Sequence, residues 1–229
     1  MRVAGIAVAS GVAWEAPTEL YLRPLAGEPL LLWSIRALAT QADRVVAIVP
    51  PPLLTPATLT VRAAGLAAIV VAAERERWHS MRIAVAALGP SDLVVVHDVF
   101  RPLAAHKLFA RVLTEASSSG AAACALPLEG SIAEVDHQKR AVRMPLPQAL
   151  RLLQSPQAFV TGLLQDSLEA VAASISSMAA PPADDAAAVQ YAGGLVQVVD
   201  GDPDNRPIVD ADDFAWAEAH AARLKAARA

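Results

Sequence analysis

Cysteine, lysine and aromatic side chains are all scarce in this chain of 229 residues. A single cysteine, Cys124, excludes an internal disulfide, and its place inside an apolar run reads as a buried core thiol. Three lysines stand against sixteen arginines, without a basic run, and there are only four tryptophans, two tyrosines and four phenylalanines. A nucleic-acid binder usually shows a basic stripe interleaved with aromatics. At a net charge of −4 none is visible, so no nucleic-acid partner is expected. Long apolar runs are missing too: no window carries the roughly 18–20 apolar residues that a membrane span needs. Met1-Arg2-Val3 places no cationic region ahead of an apolar block, so no signal peptide is read there. These absences point to the cytoplasm and away from membranes.

What is present is apolar material, 55% of the residues, enough for the core of one large α/β domain. Strand-like runs at residues 3–9, 44–49, 67–71, 92–97, 121–128 and 195–199 alternate with helical patterns at 29–40, 54–64, 80–88, 105–117, 161–174, 184–191 and 211–227. Ser80 reads as the N-cap of its helix. Leu93-Val94-Val95-Val96 is the best strand, because an unbroken apolar run suits a sheet covered on both faces. Alternation over this length predicts a mostly parallel sheet with right-handed crossovers. Residues 129–150 break the pattern. They are more polar, with turn chemistry at Glu129-Gly130 and a cluster of Asp136, Lys139 and Arg140, and read as a hairpin leaving the main body.

Sites in such sheets lie at the carboxyl ends of the strands. After the first strand, the small-residue loop around Ser10-Gly11 suits either a phosphate or a tight turn. After the fourth comes His97-Asp98-Val99-Phe100-Arg101-Pro102. A carboxylate there is costly unless solvated, paired or on a metal, so Asp98 is either an ion-pair partner of Arg101 or a Mg²⁺ ligand beside a triphosphate. Gly201-Asp202-Pro203-Asp204-Asn205 follows the last strand and reads as an Asx turn or as the source of a second carboxylate. Asp184-Asp185 opens a helix, where capping is the favoured explanation.

In order, Gly11, Pro24-Leu25-Ala26-Gly27-Glu28-Pro29-Leu30-Leu31, Arg77 with Ser80, Val96-His97-Asp98 with Arg101-Pro102, Ser155-Pro156-Gln157-Ala158-Phe159, Asp184-Asp185 and Gly201-Asp202-Pro203-Asp204-Asn205 resemble the 2-C-methyl-D-erythritol 4-phosphate cytidylyltransferases nearly end to end. The resemblance implies a Rossmann-like sheet of the nucleotide-diphospho-sugar transferase type, with a protruding β-arm, residues 129–150, that clasps a second subunit in a homodimer. It implies CTP and a sugar-alcohol phosphate as substrates, Mg²⁺ as cofactor and pyrophosphate as a product. Asp98 and Asp204 would hold the metal, and Gly11, Arg77 and Ser80 would line the cytidine pocket. Arg101 and Ser131 would face the sugar phosphate, the latter across the dimer.

The chain also departs from the family's pattern. The glycine, arginine, proline and lysine expected in the first loop fall on Ala9, Ala13, Glu19 and Leu20. The lysine expected after the last strand falls on Pro207, an arginine of the arm falls near Pro147, and two glycines fall near Ala73 and Glu74. Single phosphate or oxyanion contacts are typically worth about 3–4 kcal/mol in the transition state. Two readings follow. One is an active cytidylyltransferase, for methylerythritol phosphate or another polyol phosphate, with Arg23 or Arg206 replacing the lost lysines. The other is a catalytically inactive paralogue that keeps the fold and arm and works by binding.

Overall fold

The apolar run at Leu93–Val96 becomes the middle of a seven-stranded sheet in the computed structural model, which describes residues 1–8 and 18–226. In chain order come β1 (Val3–Val8), a small ribbon of β2 (Pro24–Leu25) and β3 (Glu28–Pro29), α1 (Leu30–Ala39), β4 (Arg44–Val49), α2 (Leu54–Ala63) and β5 (Ala68–Ala72). Then follow α3 (Arg77–Leu88), β6 (Leu93–Asp98), α4 (His106–Ser119) and β7 (Ala121–Pro127). A second ribbon, β8 (Glu134–Val135) and β9 (Ala141–Arg143), precedes β10 (Arg151–Val160), α5 (Thr161–Ser174), α6 (Asp185–Tyr191), β11 (Gln197–Asp200) and α7 (Ala211–Ala226). The sheet order is β11-β7-β10-β6-β1-β4-β5. All pairings are parallel except those of β10, which runs antiparallel to both β6 and β7.

Burial on both faces explains the strand composition. Val45, Ala47, Leu93 and Val95 point into a core shared with α1, α4 and α7, where Leu31, Ile35, Phe109 and Phe214 sit. Their neighbours Val46, Ile48, Val94 and Val96 point the other way, against Met81, Val85, Leu164 and Val189 of α3, α5 and α6. The period of two thus fills two apolar layers from one strand.

Two expectations need correction. The sequence pattern predicts no strand at 151–160, where the alternation is broken before the helix at 161. Instead β10 occupies a central position, and Pro156 is tolerated because the register shifts between Gln154 and Gln157. Ser80 is not an N-cap: α3 begins at Arg77 behind Glu76, and the Ser80 hydroxyl accepts the Glu74 amide (2.8 Å) one turn inside the helix. Asp184 does cap α6, its carboxylate accepting from the Ala187 amide at 2.8 Å.

Because Arg151 pairs with Pro127, β7 and β10 form one hairpin whose turn has been expanded into the segment between them. No residue of 129–150 is buried, and Val135, Val142, Met144 and Leu146 on it are 60–73% exposed. Among the described residues no helix is long and apolar enough to cross a membrane.

Candidate functional site

A cavity of about 190 Å³ opens where β6 ends and β10 begins, with Asp98, Arg101, Ser155, Arg77, Gln157 and Pro207 on its walls. Its floor is a bend tied by hydrogen bonds from three segments. The Asp98 carboxylate accepts the Phe100 amide (3.0 Å), and the Arg101 amide donates to the Asp98 carbonyl (3.1 Å). The Asp98 amide donates to Ser155 Oγ on β10 (2.9 Å). Arg101 sends Nη1 to the Asn205 carbonyl (2.5 Å), and Asn205 Nδ2 donates to the Ser155 carbonyl (2.6 Å). Gln154 completes the tie, donating to the carbonyls of Asp202 and Asn205 while accepting the Asp202 amide. Gly201 is required for this approach: a Cβ there would run into Gln154 Oε1 and lie 2.9 Å from the Ala125 carbonyl.

The electrostatics follow from burial. Burial lowers the pKa of Arg101 while the nearby Asp98 charge opposes that shift, so the pair stabilise each other without a bidentate clasp. His97 is fully buried, and desolvation pushes it down to about 3. Tyr21, against Phe100 at 4.9 Å, has its phenol pushed upward, first by burial and then by the Asp98 charge. Arg77 meets Asp185 bidentately at 2.7 and 3.2 Å, and both side chains are nearly buried. Burial raises the pKa of the Asp185 carboxyl, opposed by that guanidinium.

The structure therefore brings together Asp98, Arg101 and Arg77 of the expected site residues. Ser80 is buried in the first turns of α3, holding the loop that leads to Arg77. Gly11, with Ala9 and Ala13, lies outside the described residues. Ser131 is exposed on the arm. Asp204 sits elsewhere: its exposed carboxylate borders a neighbouring depression of about 460 Å³ with Glu28, Arg36, His106, Asp202 and His220. Asp202 caps that turn, accepting the Asp204 amide at 3.1 Å and pairing with Lys107 at 3.0 Å. Asp98 thus fits the demand of Mg²⁺ for one carboxylate beside phosphate oxygens. Of the two expected ligands it alone lines the central cavity, and among the described residues no three His, Cys, Asp or Glu side chains converge on a metal position.

The positions where lysines were expected have structural occupants. Leu20 packs against the larger core, and Pro207 lines the cavity without a donor. The two proposed substitutes turn to α7 instead. Arg23 lies 3.7 Å over the Phe214 ring, and Arg206 lies 4.7 Å over Trp216 while pairing with Asp213 at 3.1 Å. Sequence reasoning missed Tyr21 and the linking roles of Gln154, Ser155 and Asn205, for none sits near its partners in the chain.

A mostly parallel sheet covered on both faces, with a carboxylate and guanidinium at the carboxyl end of its middle strand, defines a Rossmann-like domain of the nucleotidyltransferase class. The family model "2-C-methyl-D-erythritol 4-phosphate cytidylyltransferase" (IspD) matches residues 4–223. The chain belongs to that family. It is similar to "Bifunctional enzyme IspD/IspF" of Anaeromyxobacter sp. (strain Fw109-5), at 34% identity over 94% of this chain and 56% of that protein. It thus spans little more than half the length of the bifunctional relatives it matches. The 2-C-methyl-D-erythritol 4-phosphate cytidylyltransferase of Thermus thermophilus is 34% identical over 84% of each chain. The crystal structure of the cytidylyltransferase from that organism superposes with a TM-score of 0.78 at 31% identity, over 96% of this chain and 99% of that one.

Proposed function

We propose that this chain transfers a cytidylyl group from CTP to 2-C-methyl-D-erythritol 4-phosphate, releasing pyrophosphate. The observation that carries the reading is the rigid bend holding Asp98 and Arg101 together at the carboxyl end of β6. In the transfer an oxygen of the acceptor phosphate attacks the α-phosphorus of CTP, a new P–O bond forms, and the α–β bridging bond breaks with its electrons leaving on pyrophosphate. Negative charge spreads over the phosphates as this happens, and preorganised positive charge is what lowers the barrier. Arg101 supplies such charge from a fixed position and faces the acceptor's phosphate. Arg77 lies on the cytidine side of the site in this reading, with Ser80 holding the loop that leads to it. Asp98 would hold a Mg²⁺ ion; bound there, the ion would neutralise the triphosphate and help pyrophosphate leave. The exposed apolar face of the arm fits a homodimer in which a second copy covers Val135, Val142, Met144 and Leu146 and Ser131 reaches the neighbouring site.

A second reading, a paralogue that binds without catalysing, is favoured by one observation: Leu20 and Pro207 carry no charge, and Arg23 and Arg206 are engaged on α7. Calorimetry of CTP with Mg²⁺, run beside a pyrophosphate-release assay, separates the two. Binding with turnover supports the transferase. Binding without turnover, for methylerythritol phosphate and other polyol phosphates alike, leaves the paralogue, and a light-scattering mass of one chain removes the dimer from either.

A further inference from the structure

With the buried His97 ring neutral, the hydrogen bonds at the end of β6 have one consistent set of directions. The Arg101 carbonyl can only accept, so His97 Nε2, 3.0 Å from it, carries a proton. The Asp98 amide can only donate, so Ser155 Oγ accepts from it at 2.9 Å. In a neutral imidazole the other nitrogen is then bare, and the Ser155 hydroxyl must give its proton to His97 Nδ1 across 3.0 Å. The ring is neutral because it is completely buried, edge-on to Phe109 at 4.8 Å. Ser155 lines the central cavity, yet its proton points away from it. A serine oxygen has two lone pairs, and the Asp98 amide takes one. A single acceptor site is left for a ligand. An ionised phosphate has no proton to offer that lone pair; a hydroxyl does.

We propose that His97 is a positioning residue: fixed as its Nε2–H tautomer, it takes the Ser155 hydroxyl proton and so presents Ser155 to the cavity as an acceptor for a hydroxyl of a polyol phosphate, not as a donor to its phosphate. This rests on the reading of the cavity as the acceptor site. It adds an orientation, with the phosphate toward Arg101 and a hydroxyl toward Ser155, and a selectivity for acceptors that carry that hydroxyl.

The two amide replacements of His97 divide its functions. Asparagine sets an oxygen where Nδ1 lies and preserves the acceptor for Ser155, whereas glutamine sets its nitrogen where Nε2 lies and loses it. Calorimetry with 2-C-methyl-D-erythritol 4-phosphate is expected to show His97→Gln and Ser155→Ala weakened about three- to tenfold, the range of one neutral hydrogen bond. His97→Asn should stay within about twofold of the parent, and none of the three should change CTP affinity. Long-range ¹H–¹⁵N spectra of the unmodified chain give a measurement that no folding defect can obscure. A protonated Nε2 and bare Nδ1 are expected between pH 6 and 8. A protonated Nδ1, or equal losses in both His97 variants, overturns the proposal while leaving the cytidylyltransferase reading intact. A parent chain that binds no methylerythritol phosphate overturns that reading and the proposal with it.

Discussion

The two flanks of the central cavity treat charge in opposite ways. On the flank formed by β6, β10 and the 201–205 turn, polar groups face one another: Asp98, Arg101, Ser155, Gln154 and Asn205 are joined by bonds of 2.5–3.2 Å. Only the Asn205 Oδ1 atom among them is buried without a hydrogen bond. On the flank formed by residues 206–209, and in the separate segment 18–23 that borders another depression, the guanidiniums of Arg206 and Arg23 face away onto α7, whose Glu218 also accepts the Ala26 amide at 3.0 Å. The first flank holds charge ready for a ligand. The second uses charge to attach the C-terminal helix. The difference teaches that counting cations near a site says little until each one's partner is known.

The strongest test of the first flank is Asp98→Asn, expected to lower pyrophosphate release about a hundred- to thousand-fold, with the circular dichroism of the fold unchanged. An unaltered rate would break the comparison. Next comes Arg77→Met, which strands the Asp185 carboxylate in the interior and should cost about 3–5 kcal/mol in urea denaturation. Adding Asp185→Leu should recover most of that, because neither charge is then left buried alone. A smaller effect is expected on acidification. The folded state holds His97 well below its ordinary 6.5, at about 3, so the unfolded chain takes up a proton first as pH falls. The stability this ring contributes is full above pH 6.5 and is lost below it, by at most about 1.4 kcal/mol per unit. The melting temperature should therefore fall more steeply between pH 7 and 4.5 than that of His97→Asn.

The second flank is sharpened by restoring what it lacks. Pro207→Lys should raise pyrophosphate release about tenfold, short of the hundred- to thousand-fold of a contact evolved in place. No gain would mean that this flank does not limit turnover. The smallest effects belong to Arg23→Ala and Arg206→Ala, each expected to cost about 1 kcal/mol of stability through the lost ring contact while leaving the release rate unchanged. A large fall in rate with either would return that arginine to the phosphates.

Most of the scaffold could be read along the chain because its signals are local. The runs at 44–49 and 93–96 and the capping aspartate at 184 each act within a turn or a strand of themselves. What escaped detection is long-range. Gln154, Ser155 and Gln157 look like loop residues because they are polar around a proline; they belong to a central strand only because Asn205, His97 and Asp184 satisfy them from distant segments. Ser80 misled for the converse reason. A serine before an apolar stretch has the form of an N-cap, and only the fold shows the Glu74 amide that claims it. Of the site, Asp98, Arg101 and Arg77 were legible as residues, whereas Tyr21 and the orientation of Asp204 depend on tertiary packing.

The expanded hairpin between Pro127 and Arg151 also bears on how such a protein changes over generations. An all-parallel sheet must carry each chain back across a face before the next strand. An antiparallel strand instead starts where its neighbour stops, on the rim that holds the cavity. Residues inserted at that turn shift no strand register, and doubling the length of a flexible loop costs only about 0.6 kcal/mol in closure entropy. The arm can therefore lengthen, shorten or exchange its sequence as an appendage of the rim while the sheet beneath stays the same, so that the appendage is open to selection separately from the fold that carries it.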